Sequence, residues 1–167
     1  VGKKVVVIGS GATAITLVPT MAEQAAHVTM LQRSPTYLMP LPSTDKVSLA
    51  LQKILPERTA YRLTRARNIS ISRFLYLRSR RSPKFMRRLF LGIIKRKVGD
   101  TADMRHFTPD YNPWDQRLCV VPNGDLFKTI KDGKAEVVTD TIETFTEKGI
   151  RLTSGRELEA DIVITAT

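Results

Sequence analysis

The chain has 167 residues, of which 42% are hydrophobic, with one cysteine and a net charge of +11. That length supports one well-buried core and makes a single domain the default. No apolar run approaches the roughly 18 residues of a spanning helix, and the lone Cys119 excludes an internal disulfide and C-x-x-C redox chemistry, so a reducing cytoplasmic setting is expected.

The first informative stretch is Lys4-Val5-Val6-Val7-Ile8, a buried strand that empties into Gly9-Ser10-Gly11-Ala12-Thr13-Ala14. On its own, a G-x-G-x-x-A spacing is as often an ordinary glycine turn. Here a strand precedes it, a helical pattern follows, and a second strand, Val28 to Leu31, arrives at the spacing of a dinucleotide-binding unit. Gly9 permits the tight turn, Gly11 lets backbone approach phosphate, and the small Ala14 lets the helix pack on the strand. The helix N-terminus then offers unpaired N–H groups and a positive dipole end to a pyrophosphate. Pro19 falls inside this helix, where a lost hydrogen bond and a kink are expected. His27 is expected to cap or end it.

The second strand runs into Gln32-Arg33-Ser34. An NAD site places a carboxylate here for the ribose 2′-hydroxyl. Arg33 instead offers a planar fork of donors and Ser34 a hydroxyl, which favours the 2′-phosphate of NADP.

Residues 46–99 hold sixteen Lys and Arg against one acid, Glu57, a net of +15, which leaves the rest of the chain at −4. The basicity is therefore local. Ser48 to Leu55 reads as a short helix stopped before Pro56. Glu57 to Arg81 mixes Tyr61, Leu63, Ile69, Ile71, Phe74, Leu75 and Leu77 with arginines. Ser82-Pro83 reads as an N-cap and first turn, followed by Phe85, Met86, Leu89, Phe90, Ile93 and Ile94 at helical spacing. Three uses stay open for this segment: a helical subdomain with a solvated basic face, attachment to an anionic membrane surface, or nonspecific phosphate-backbone binding. No zinc ligands or aromatic RNA-binding signature accompany it, so no specific nucleic-acid partner is expected.

After the basic segment, Val120 to Gly124 is a turn-bounded stretch, Leu126 to Ile130 spans one or two helical turns, and Val137-Val138 starts a strand. Thr141 to Thr146, Ile150 to Leu152 and Glu157-Leu158 form a meander around Glu147-Lys148-Gly149 and Ser154-Gly155-Arg156. Ala160 to Thr167 reads as a fully buried parallel strand returning to the central sheet. The expected fold is α/β: a Rossmann-like parallel sheet with a β-meander, carried by residues 1–45 and 100–167, and a basic helical insertion at 46–99. Two isolated histidines, His27 and His106, make no metal site, although His106 lies where it could approach the nucleotide. No Tyr-x-x-x-Lys occurs, which argues against a short-chain dehydrogenase.

Four stretches in order, VVVIGSGATA, HVTMLQRSPTYL, HFTPDYNPWDQRLCVVPNGDLFKTI and GIRLTSGRELEADIVITAT, together resemble the NADP-binding domain of class B flavoprotein monooxygenases of the Baeyer–Villiger type. The resemblance covers the whole chain and implies a piece of a longer protein, with an FAD domain and the family's F-x-G-x-x-x-H fingerprint before Val1. It implies NADP bound at Gly9 to Ala14 and at Arg33-Ser34, FAD bound mainly by regions outside this chain, and O2 consumed with a ketone, thioether or thioamide substrate. It places the family's active-site arginine at Arg117, where a permanent positive charge stabilises the negatively charged oxygenated flavin and the adduct on a ketone. Many relatives carry Lys-Arg at this point, whereas this chain has Gln116-Arg117 and so one cation rather than two. Beside this stands the alternative of a non-catalytic nucleotide-binding or membrane-docking module, and peripheral contact with the inner face of the cell membrane is expected only if the basic segment docks there.

Overall fold

The computed structural model describes residues 1–167. The β-branched run Lys4–Ile8 forms β1, Ala12–Met21 forms α1, and β2 follows at His27–Gln32. After Tyr37–Leu41 (β3) come three consecutive helices, α2 (Lys46–Ile54), α3 (Glu57–Arg81) and α4 (Pro83–Val98), then a 3-10 turn at Met104–Phe107. The remainder is β4 (Leu118–Pro122), α5 (Asp125–Lys131), β5 (Ala135–Thr139), β6 (Ile142–Thr146), β7 (Gly149–Leu152), β8 (Glu157–Glu159) and β9 (Ile162–Thr165).

The central sheet has the order β5-β2-β1-β9, with every neighbouring pair parallel. From β1 the chain builds outward to β2 and β5 on one side and returns on the other as β9. That order is half of a doubly wound fold, and the strand order reverses beside β1. Strand alternation divides the sheet's side chains between two cores. Val5, Val7, Val28, Met30 and Val137 join Ala14, Ile15 and Val18 of α1 and Leu126, Phe127 and Ile130 of α5 on one face. Val6, Leu31 and Val138 meet Ile150, Leu152 and Leu158 of the antiparallel meander β6-β7-β8 on the other.

Several expectations change in detail. The chain from Ala160 does return in parallel beside β1, but as the four-residue outer strand β9. Ile162 and Val163 stay exposed because nothing within the chain covers that edge. α1 runs continuously through Pro19, which lies two residues before the helix end and so withholds a single intrahelical donor. His27 opens β2 rather than ending α1, which stops at Met21. Ser82 occupies the cap position of α4 without a side-chain cap; its hydroxyl accepts from Arg78 at 3.0 Å.

The apolar stripe of α4 narrows to Met86, Phe90, Ile94 and Val98, one residue per turn, while Phe85 and Leu89 face outward. Ile94 and Val98 belong to the main core, whereas Met86 and Phe90 enclose Tyr37. The Tyr37 hydroxyl donates to the Tyr111 carbonyl at 2.8 Å, and burial pushes its pKa up. Along the 25 residues of α3 only Ala60 and Ser79 are buried. No helix is long and apolar enough to cross a membrane.

Candidate functional site

All four strands of the central sheet point their C-terminal ends at one edge, which brings together the turn after β1, the Gln32-Arg33-Ser34 corner, Thr139-Asp140 and the end of β9. Open α/β sheets bind ligands outside this edge, at the point where strand order reverses. Gly9 sits there with φ 139°, and a methyl group on it would lie 2.3 Å from the Ala166 carbonyl oxygen. The glycine is therefore required by the strand beside it. Gly11 has an ordinary φ of −81° and is the cap residue of α1, with no side chain to occupy the helix's first N–H groups. Around its missing Cβ the space is open except for one group, Nη1 of Arg117 at 3.7 Å. Ala14 is fully buried against the sheet, while Ala12 and Thr13 are exposed on the first turn.

Arg117 stands directly before β4, which pairs in parallel with β3. The loop before it is braced by α3. Trp114, at φ 72°, donates its indole N–H to the buried Ser79 hydroxyl at 3.2 Å and packs edge-on against Tyr76. Asp115 pairs with Arg80 at 2.6 Å. A bulky residue in the left-handed region costs energy that surrounding contacts must offset, and here those contacts come from one end of the long helix. Cys119, two residues on, is buried, and burial pushes its thiol pKa up against the pull of Arg117, so it is a poor nucleophile.

The glycine turn and the Arg33 corner are joined. The Ser10 hydroxyl lies 3.1 Å from the Thr36 hydroxyl and donates to the Ser34 carbonyl at 3.5 Å. Arg33 is exposed and belongs to none of the chain's ion pairs. With Ser34 it lines a cleft of about 530 Å³ that also includes Arg105, His106, Thr139, Asp140, Ser154 and Arg156. The buried Gln32 fixes the floor, donating from Nε2 to the His106 carbonyl at 2.6 Å and to the Thr139 hydroxyl at 2.9 Å. His106 Nδ1 lies 2.8 Å from that same hydroxyl, while Arg105 Nε approaches His106 Nε2 at 3.4 Å. A ring that donates from Nδ1 and accepts at Nε2 satisfies both contacts while neutral, and burial, then the charge of Arg105, hold its pKa below the ordinary value.

The candidate residues Gly9 to Ala14 thus lie on one turn, Ser34, next to Arg33, is tied to it through Ser10, and the Arg117 guanidinium comes up to Gly11. Sequence reading passed over Ser79 and Trp114 as braces and Arg105 and Arg156 as cleft residues. Trp114, Arg105 and Arg156 signal only an aromatic ring or a positive charge between regular elements, and Ser79, inside α3, signals nothing.

No family model matches the chain. Among curated proteins, MymA of Mycobacterium tuberculosis, named an FAD-containing monooxygenase, is 63% identical over 170 residues, covering 99% of this chain and 34% of its own length. The FAD-containing monooxygenase EthA of the same organism is 57% identical over 167 residues, again 99% of this chain and 34% of EthA. The chain therefore spans about a third of the length of the curated relatives it matches. Among solved structures, OTEMO in complex with FAD and NADP superposes with a TM-score of 0.71 at 20% identity, over 99% of this chain and 38% of that one. Oxidized steroid monooxygenase bound to NADP gives 0.68 at 21%, over 99% and 39%. At such identities the structural likeness establishes the fold. From end to end, the chain is homologous to one segment of the FAD-containing monooxygenases.

Proposed function

We propose that this chain is the NADP(H)-binding part of an FAD-dependent monooxygenase that inserts one oxygen atom of O2 into ketones or oxidises sulfur in thioethers or thioamides. Residues 1–45 and 100–167 form the nucleotide-binding part in this reading, and 46–99 the basic helical insertion. The observation that carries it is the open Gly11 turn with Arg117 Nη1 beside it, since it sets a permanent cation next to an uncapped helix N-terminus at the sheet's ligand edge. The donor set suits a dinucleotide. Gly11 leaves room for phosphate, the first-turn N–H groups of α1 point at it, and Arg33 with Ser34 supports the 2′-phosphate.

NADPH supplies a hydride and FAD, held mainly by chain outside these residues, supplies the activation of O2. The work of this chain is to hold the pyrophosphate at Gly9 to Ala14, select the phosphorylated ribose at Arg33, and present the Arg117 guanidinium to negative charge developing on oxygen. A guanidinium does this without titrating near neutral pH. In the protein that carries this chain, NADPH consumption should rise with accepted members of a ketone, thioether and thioamide panel, and label from 18O2 should appear in an ester or S-oxide. NADP(H) binding with no oxygenated product from any member would favour the non-catalytic module.

A second reading concerns the insertion. α3 exposes Tyr61, Ile69, Phe74 and Leu77 among its arginines, a combination suited to peripheral contact with an anionic membrane at the inner face of the cell membrane.

A further inference from the structure

Arg33 is one guanidinium, and a ribose 2′-phosphate carries close to two negative charges near neutral pH. The cleft beside it holds two more guanidinium groups from segments far apart in the chain. Arg105 comes from the 3-10 turn after the helices, and Arg156 from the turn between β7 and β8. Both are held in place by only part of their donor set. Arg105 pairs through Nε with Asp103 at 3.0 Å, which leaves its two terminal nitrogens uncommitted. Arg156 pairs through Nη2 with Glu136 at 2.9 and 3.2 Å, which leaves Nε and Nη1. Each guanidinium thus keeps two nitrogens free to donate to an anion.

The carboxylates on the cleft wall take none of the free arginine nitrogens. Asp140 is turned to its own loop, accepting from the Thr141 N–H at 2.7 Å and the Thr153 hydroxyl at 2.8 Å. Asp110, the other acid on the wall, pairs with none of the three arginines, while Asp103 and Glu136 each engage one nitrogen of theirs, so the cleft offers free guanidinium donors from three segments. His106 adds no charge in the neutral form its contacts with Thr139 and Arg105 favour.

We propose that Arg105 and Arg156 complete the anion site begun by Arg33, so that three side chains converging on one cleft at the C-terminal edge of β2 and β5 bind the 2′-phosphate of a 2′-phosphorylated adenosine. The proposal rests on the NADP(H) reading and adds two specificity-determining residues to it.

Equilibrium titration of the protein with NADP+ and NAD+ tests it. Arg105→Gln and Arg156→Gln should each weaken NADP+ by about tenfold, with NAD+ changed by less than about twofold. Asp103→Asn and Glu136→Gln keep the arginines and remove a neighbouring negative charge, and should leave the NADP+/NAD+ ratio at or above the wild-type value. Should a glutamine variant fail to fold, Arg105→Lys or Arg156→Lys retains the charge without the fork and should give an intermediate ratio. Glutamine variants that keep the wild-type ratio, or that lose both nucleotides equally, overturn the proposal. If wild type itself fails to prefer NADP+, the underlying reading falls. If wild type prefers NADP+ and Arg33→Ala abolishes the preference while the other two variants preserve it, only the added residues fall.

Discussion

Arg117 is an exposed loop residue whose value depends on where its neighbours hold it. The strained Trp114, its bond to Ser79 and the Arg80–Asp115 pair fix the loop that delivers the guanidinium to Gly11. Under the proposed function, Arg117→Ala in the complete enzyme should leave flavin reduction at saturating NADPH intact, lower oxygenated product by about a hundredfold or more, and divert the reducing equivalents to peroxide. Stopped-flow reduction traces read beside product yields check this; substantial ester or S-oxide from the variant would show that another group carries the charge. At this scale the sequence was legible where chemistry is local. The need for glycine at position 9 followed from motif spacing, but the group that enforces it, the Ala166 carbonyl 157 residues away, is a tertiary contact. Arg105 and Arg156 were illegible for the same reason, because a surface arginine looks the same whether it faces solvent or a shared cleft.

Among the elements, β1 and β2 are legible as short apolar runs buried on both faces, and the meander from its glycine turn signals. β3 was missed because Pro40 interrupts its short run, and a strand with proline pairs only where the N–H is not needed. The burial of β9 was overestimated, since apolar composition records what a strand can bury and leaves open which neighbour covers it. The helices show the converse: α4 keeps one narrow buried stripe, and α3 leaves its large side chains uncovered within the chain. If α3 lies on an anionic bilayer, the protein should sediment with anionic vesicles at low salt, release at high salt as the charges are screened, and ignore neutral vesicles. Arg62, Arg65 and Arg73 are exposed on α3 and belong to none of the chain's ion pairs, so reversing all three to Glu should abolish sedimentation without altering NADPH affinity. Wild type that stays in the supernatant with anionic vesicles at low salt would contradict membrane docking by this face.

At the scale of the molecule, one parallel sheet gathers the glycine turn, the Arg33 corner, the Thr139-Asp140 step and the end of β9 at a single edge. The helices and the meander cover its two faces and leave that edge open. The central claim is that this edge holds a 2′-phosphorylated dinucleotide, and the most direct test is the affinity of wild type and Arg33→Ala for NADPH and NADH. Loss of one charge-assisted contact of about 1.5 to 3 kcal/mol predicts a loss of roughly tenfold to a hundredfold for NADPH, with NADH almost unchanged. Equal losses for the two nucleotides, or no loss for either, would contradict it.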